Sequence, residues 1–244
     1  ETTPSTVAFD GSSGSLGSIS ATVFVEETYD MVNNELIITD SRLLSKDEVM
    51  AIGVDNFAPL SEVPMPRAAT ITRGRLTITF SGVYNTSNGV SCNLTGTAHW
   101  DDSGLHTEGE NYCATGEDFI GVTWSGSFTA KSHSISGKNQ LGGALTIYNS
   151  DSTPNAGRVW SFKDSNPTSK YTLYAKDINL NVNISKNTLT GNGNTAEAVL
   201  KYIHTYSKVK GSISITPGSE TVAGSFSLSN TDRQWSLVCT VTNI

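Results

Sequence analysis

The sequence predicts an all-β protein: an antiparallel β-sandwich or barrel-like meander of many short strands. Apolar and polar residues alternate in run after run along the chain, which is the two-residue period of half-buried strands. Clusters of Gly, Asn, Asp, Pro and Ser separate these runs, as turns between antiparallel strands do. The composition agrees, because only 16 % of the 244 residues are charged and Ser and Thr are abundant.

The clearest strand runs cover residues 19–25, 76–81, 177–185 and 235–241. One break in the pattern predicts a short helix near residues 46–52, because Ser45 and Glu48 have the spacing of a capping box. Asn194 and Glu197 have the same capping-box spacing. The run 198–206 that comes after them fits a helix or a strand, and we favour a strand.

The predicted organisation has two parts. Residues 1–17 form a Ser/Thr/Gly-rich N-terminal segment that acts as a tether or a docking strand. Residues 18–244 form a single large all-β domain, since β-sandwiches of this size are common as single units. Val7 and Phe9 alternate within the first segment, so it can add a strand to a sheet of its own domain or of a neighbouring copy.

Charge is distributed unevenly. The net charge is −7, which argues against nucleic acid as a partner. Residues 1–130 carry 17 carboxylates against 5 Lys or Arg, whereas residues 131–244 carry 6 against 11. Either the two halves neutralise each other within one fold, or the molecule has opposite poles that favour head-to-tail association.

The three cysteines suggest an oxidising compartment. Cys92 and Cys113 bracket about twenty residues, and a disulfide between them would contribute about 3 kcal/mol. Cys239 lies on the apolar face of the last predicted strand and is expected to be a buried thiol.

The segment between Cys92 and Cys113 is acidic, and no Lys or Arg occurs between Leu76 and Ala130. Carboxylates in this density suit Ca²⁺ and make this segment a candidate calcium site, the alternative being an acidic turn that is simply solvated. Its expected ligands are Asp101, Asp102, Glu108 and Glu110. His99, His106 and Asp101 are a less favoured set of transition-metal ligands, and the spacing does not match an EF-hand loop.

Strand phase suggests roles for several other polar and aromatic residues. Asn85, Asn93 and Asn183 stand in glycosylation sequons. Trp100, Trp124 and Trp235 are in phase with core residues, which leaves Trp160 as the tryptophan to consider for a ligand. His133 and His204 are interpreted as surface or half-buried residues.

No nucleophile elbow, phosphate loop or dinucleotide fingerprint occurs, so an enzyme is not predicted. We expect a secreted or cell-surface structural or adhesive protein, a fimbria- or matrix-like subunit that assembles with itself or with other surface proteins and glycans. The alternatives are a secreted glycan- or protein-binding module with a Ca²⁺-dependent acidic site, and a secreted hydrolase.

Overall fold

The computed structural model describes most of the chain, in eleven segments. They are residues 5–7, 15–32, 35–53, 70–85, 91–101, 116–167, 172–186, 196–206, 211–229, 233–242 and 244. Fifteen strands and one helix occur in this part of the chain, numbered in chain order. They are β1 (Ser5–Val7), β2 (Ser15–Val32), β3 (Glu35–Leu43), α1 (Lys46–Ile52), β4 (Thr70–Asn85), β5 (Ser91–Trp100), β6 (Asp118–Trp124), β7 (Phe128–Asn139), β8 (Ile147–Thr153), β9 (Gly157–Phe162), β10 (Ser165–Pro167), β11 (Thr172–Lys186), β12 (Glu197–Thr205), β13 (Ser212–Thr216), β14 (Ser225–Ser229) and β15 (Gln234–Thr242).

The strands form two large sheets that face each other. The first sheet has the order β1-β15-β12-β6-β9-β8. The second has the order β10-β11-β5-β4-β2-β3, and β7 also pairs with β11. The pairs are antiparallel except β1 with β15, so the predicted all-β sandwich is confirmed.

The main core lies between these two sheets. In β4, Leu76, Ile78 and Phe80 are fully buried on one face, as the alternation predicts. Across the sandwich, Leu200 of β12 comes so close to Gly96 of β5 that a Cβ at Gly96 would lie 2.8 Å from the Leu200 side chain. Face-to-face packing of the inward residues of two sheets is the usual core of a sandwich.

A small hairpin adds a third layer. Strands β13 and β14 pair only with each other and cover the outer face of the first sheet. Phe226 and Leu228 of the hairpin pack there against Phe119 and Val159. As a result all seven residues of β6 are buried, because β6 has the core on one face and the hairpin on the other.

Helix α1 begins and ends where its sequence predicts. The Glu48 N–H donates to the Ser45 side chain, and Glu48 in turn accepts from the Ser45 N–H at 2.8 Å, which completes a capping box. The helix ends at Gly53, whose φ of 85° suits glycine. Within the described residues, no helix is long and apolar enough to span a membrane.

The second ambiguous segment is a strand. Residues 198–205 fall in β12, which pairs with β6 on one side and with β15 on the other. The helical spacing of its apolar residues is explained by burial on both faces near its end, where Tyr202, Ile203, His204 and Thr205 are all buried.

Candidate functional site: a buried carboxylate–histidine cluster

Four ionisable side chains meet between the two sheets, and we call them the buried cluster. They are Glu27 on β2, Asp118 at the start of β6, Asp164 between β9 and β10, and His204 on β12. None is more than 3 % exposed. Ionisable groups are rarely buried this completely unless they are paired, so the cluster is the most unusual chemistry in the described part of the chain.

Strand phase places these side chains inside. Glu27 follows Val23 and Val25 on the inward face of β2, and Tyr29 continues the same face. His204 follows Leu200 and Tyr202 on the inward face of β12. A charged residue that stays in phase with core residues must enter the interior, because a shift of one residue would expose the whole apolar face.

His204 lies at the centre of the cluster. Its Nδ1 is 3.1 Å from Asp118 Oδ2, and its Nε2 is 3.0 Å from Glu27 Oε1. Asp164 Oδ2 approaches the same Nδ1 at 3.7 Å. The imidazole therefore contacts Glu27 of the second sheet on one side and Asp118 and Asp164, next to strands of the first sheet, on the other.

Further hydrogen bonds hold the two carboxylates that flank the imidazole. The Tyr202 hydroxyl donates to Asp118 Oδ2 at 2.5 Å, and the Thr205 N–H donates to Asp118 Oδ1 at 3.0 Å. The Tyr29 hydroxyl donates to Glu27 Oε2 at 2.8 Å, and the Ser41 hydroxyl donates to Glu27 Oε1 at 3.1 Å. Both carboxylates are thus held in fixed orientations.

Aromatic rings surround the imidazole. Trp235 lies 4.9 Å from it, Trp100 6.1 Å and Tyr206 6.4 Å, measured between ring centroids. The Trp100 indole donates to the Tyr202 hydroxyl at 3.1 Å, and the Trp235 indole donates to the Ser41 hydroxyl at 3.0 Å. The rings separate the cluster from water and also support the side chains that hold its carboxylates.

Burial and mutual charge shift the pKa values in the cluster. Burial raises the pKa of Asp164 well above its usual value, and the Asp118 charge raises it further. Burial acts to lower the pKa of His204, but the charges and hydrogen bonds of Asp118 and Glu27 outweigh burial and raise it. Burial also raises the pKa of Tyr202, with Asp118 adding to the effect. The cluster therefore favours the protonated forms of Asp164 and His204.

The residues predicted to bind calcium are only partly described. Asp101 lies at the end of β5, where its carboxylate accepts from Arg75 Nε and lies 3.3 Å from His99 Nε2. Asp102, Glu108 and Glu110 lie outside the described residues, as does His106. The calcium site therefore stays a prediction. Although the acidic segment itself contains no cation, β4 supplies Arg75 to it from the neighbouring strand.

The predicted disulfide also stays a prediction. Cys92 is a free, fully buried thiol in the structure, and Cys113 lies outside the described residues. Burial raises the pKa of Cys92 to about 12 and that of Cys239 to about 11. Cys239 is buried in the core, as its strand phase indicates.

The sequon asparagines lie on the second sheet. Asn93 of β5 and Asn183 of β11 are register partners on its outer, half-exposed face. Asn85 is the last residue of β4, and its side chain lies outside the described set. Glycosylation of these three residues stays a prediction.

Two interpretations of single residues from the sequence were wrong. His204 is 2 % exposed instead of lying at the surface, because Glu27 and Asp118 satisfy its ring nitrogens inside the protein. Trp160 is 3 % exposed and belongs to the core, so it offers no surface for a ligand. His133 is exposed, as expected, and lies 3.1 Å from Arg158.

No family model matches the chain. No curated protein matches it either. Among solved structures it is similar to the T6 backbone pilin of serotype M6 Streptococcus pyogenes, described as a modular three-domain structure decorated with variable loops and extensions. The likeness covers 92 % of this chain and 63 % of the pilin, at 9 % sequence identity and a TM-score of 0.31.

Proposed function

We propose that the protein is a non-catalytic structural subunit of an extracellular or cell-surface assembly, whose copies join by strand addition beside β15. The observation that carries this proposal is the pairing of β1. Ser5, Thr6 and Val7 lie parallel to Cys239, Thr240 and Val241 and form the outermost strand of the first sheet.

Such a strand is suited to exchange between copies. It contributes three residues, so few hydrogen bonds break when it leaves β15. The same segment of a second copy can make identical contacts with the vacated edge, which is the basis of strand exchange. An open edge of β15 presents unpaired backbone groups and favours capture of a new strand.

The buried cluster supports a non-catalytic role. It has the residue types of a catalytic centre, but its members are almost completely inaccessible to a substrate. Its hydrogen bonds run mostly to other groups of the protein core. This arrangement suits a structural connection between the two sheets better than it suits turnover.

The outer face of the second sheet fits a protein exposed to solvent outside the cell. Ser20 pairs with Thr79 and Thr22 with Thr77 through hydroxyl hydrogen bonds across β2 and β4. Hydroxyl pairs of this kind stabilise a solvated sheet face without charge. The Ca²⁺-dependent binding module stays an alternative prediction, because most of its acidic segment lies outside the described residues.

The proposal is tested by removing the exchanging strand. The full chain and a variant lacking residues 1–10 are compared by light scattering and electron microscopy over a range of concentrations. We expect the full chain to form elongated oligomers, the truncated chain to stay monomeric, and a peptide of residues 1–14 added in excess to shorten the oligomers. A full chain that stays monomeric at high concentration, or a truncated chain that assembles equally well, would overturn the proposal.

A further inference from the structure

The buried cluster has the arrangement that a metal-binding histidine requires. Asp118 Oδ2 and Asp164 Oδ2 both face Nδ1 of His204, at 3.1 and 3.7 Å. Glu27 Oε1 lies at the opposite ring nitrogen, 3.0 Å from Nε2. A ligand atom from Asp118, one from Asp164 and one from His204 lie within 4.8 Å of one another.

We propose that Asp118, Asp164 and His204 bind a divalent transition-metal ion of the Zn²⁺ type, with Glu27 accepting the N–H of the metal-bound imidazole. This proposal goes beyond the assembly function and does not depend on it. A metal-binding histidine usually donates its second ring N–H to a carboxylate, which fixes the tautomer and the ring orientation. Glu27 is itself held by Tyr29 and Ser41, so this acceptor is preorganised.

The dimensions of the cluster fit such an ion. Zn²⁺ bonds to nitrogen and oxygen are about 2.0–2.1 Å long, so the ligand atoms of a tetrahedral site are about 3.3–3.4 Å apart. The distances of 3.1 and 3.7 Å from Nδ1 to the two carboxylate oxygens lie on either side of that value. Ligand atoms of the three residues lie within 4.8 Å of one another, so the two carboxylates would have to close in around one ion as it binds.

A second observation is the difference in hydrogen bonding between the two carboxylate oxygens of Asp164. Its Oδ1 accepts from the Ser165 N–H at 2.8 Å. Its Oδ2 accepts no hydrogen bond from the residues that the structure describes, and it points at His204 with the side chain 4 % exposed. This oxygen therefore faces the His204 ring nitrogen at longer than hydrogen-bond distance, which leaves it able to bind an ion held at Nδ1.

The excess of carboxylates over cationic side chains in the cluster also favours a bound cation. Three carboxylates surround one imidazole, and among the described ion pairs Asp118 and Asp164 pair with His204 and with no Lys or Arg. Carboxylates in a dry interior repel one another unless a proton or a cation lies between them. A bound divalent ion would offset that repulsion by coordination.

A second histidine with two aspartates provides a contrast. His99 has Asp177 Oδ1 at 2.6 Å from Nδ1, but Asp101 lies at the other nitrogen, 3.3 Å from Nε2. One ion cannot bind both carboxylates and a single ring nitrogen in that arrangement. Asp101 is also paired with Arg75, and the side chains of His99, Asp101 and Asp177 are all at least 34 % exposed. This set serves as the matched control.

The donor set selects the ion. One nitrogen and carboxylate oxygens without thiolate suit Zn²⁺, Mn²⁺, Fe²⁺ or Co²⁺. Ca²⁺ prefers six to eight oxygen ligands, and Mg²⁺ keeps several waters, so neither suits a closed site that includes imidazole. A tetrahedral ion held by these three residues would take its fourth ligand from a trapped water or from the second oxygen of a carboxylate. A site without access for substrate would be structural, and its binding free energy would add to folding.

The test uses the full chain, loaded during refolding because the site is closed. The protein is unfolded with a chelator, freed of it, and refolded with Zn²⁺ or with chelator. We expect one equivalent of bound zinc by elemental analysis and a melting temperature about 5–10 °C above that of the chelator-treated protein. Refolding with Co²⁺ should give the visible absorption of a tetrahedral nitrogen–oxygen site.

Variants distinguish this site from adventitious binding. Asp164→Asn keeps the shape and the Ser165 contact but loses the ligand charge, and should weaken zinc binding at least about a hundredfold; Glu27→Gln should weaken it about 10–100-fold. Asp177→Asn in the control set should bind zinc as the unmodified chain does. The proposal is overturned if the unmodified chain refolds without zinc uptake or a cobalt spectrum, or if Asp164→Asn binds as tightly. The zinc and cobalt measurements on the unmodified chain decide the matter even if a variant does not fold.

Discussion

At the scale of single residues, Glu27 and Asp177 make the same kind of contact in opposite surroundings. Each has a carboxylate oxygen within 3.0 Å of a histidine ring nitrogen. The Glu27 side chain is 1 % exposed and that of Asp177 is 42 % exposed. Burial should therefore decide what each contact contributes to stability.

We expect Glu27→Ala to lower the free energy of unfolding by about 3–5 kcal/mol, because it removes one partner of a buried charged network. Asp177→Ala should cost about 1 kcal/mol or less, since exposed ion pairs are screened by water. Denaturant titration with chelator present measures both. Equal costs for the two variants would contradict the idea that the cluster connects the sheets.

The buried thiols give a second prediction at this scale. Burial raises the pKa of Cys92 to about 12 and that of Cys239 to about 11, and the thiolate is the reactive form. At pH 8 we expect both to react with a thiol reagent at least about a hundredfold more slowly in the folded protein than in denaturant. Fast labelling of either cysteine in the folded chain would contradict their burial.

The same labelling tests the predicted disulfide. The chain has 3 cysteines, so denatured protein without reductant should give a single reactive thiol if Cys92 and Cys113 are joined. All three should react if they are not. The protein for this measurement should be produced by secretion through an oxidising compartment, so that a disulfide can form.

At the scale of elements, local sequence signals predict where helices and strands form but not which strands pair. The capping box of Ser45 and Glu48 predicts α1 correctly because both halves of the signal are local. Alternation predicts the strands for the same reason. The pairing of β12 with β6 and β15 was not predictable, since nothing local specifies which distant strand lies alongside.

Strand phase carries a signal for part of the buried cluster. The inward phase of residues 19–25 extends by one step to Glu27, and that of Leu200 extends through Tyr202 to His204. A charged residue in phase with core residues marks a buried polar site. The convergence of Asp118 and Asp164 on the same point depends on the tertiary fold and could not be predicted.

Helix α1 gives a pH prediction. Hydrogen bonds from the Ser45 backbone, Arg42 and the Ser45 hydroxyl lower the pKa of Glu48 to about 2. A depressed carboxyl pKa contributes stability above about pH 4.5 that is lost as the pH falls toward 2. A carboxyl titration of Glu48 followed by NMR should have its midpoint near 2, and Ser45→Ala should move the midpoint upward. A midpoint near 4.5 in the unmodified chain would contradict the capping box.

Attachment of the β13–β14 hairpin depends on a close approach at Gly121. A Cβ there would lie 2.8 Å from both Phe226 and Val159 and 2.9 Å from the Arg158 carbonyl oxygen. We expect Gly121→Ala to destabilise the protein by about 1–3 kcal/mol through overpacking. Gly126→Ala is the control, since its nearest contact would be 3.4 Å. Thermal unfolding measures both, and equal melting temperatures would contradict tight docking of the hairpin.

At the scale of the whole molecule, one core connects distant parts of the sequence. The main cluster of buried side chains includes Ile19 at one end of the chain and Ile244 at the other. Composition and alternation predicted the sandwich, but neither could predict the third layer. The hairpin residues Phe226 and Leu228 alternate like those of any sheet.

We expect this shared core to unfold in a single transition, because neither sheet keeps its buried face without the other. Near-UV and far-UV circular dichroism should give coincident melting curves. Two separate transitions would contradict the prediction of a single domain over residues 18–244.

The burial of β6 on both faces offers a way to distinguish an assembly of folded copies from an aggregate of unfolded chains. Antiparallel sheets usually keep one face in water, but β6 is enclosed like a strand of a three-layer protein. We therefore expect its amide protons to be among the slowest to exchange with solvent and to report on global unfolding. Release of β1 from the sheet edge leaves that protection intact, so a filament built by strand exchange and an aggregate of unfolded chains would differ in how fast β6 takes up deuterium.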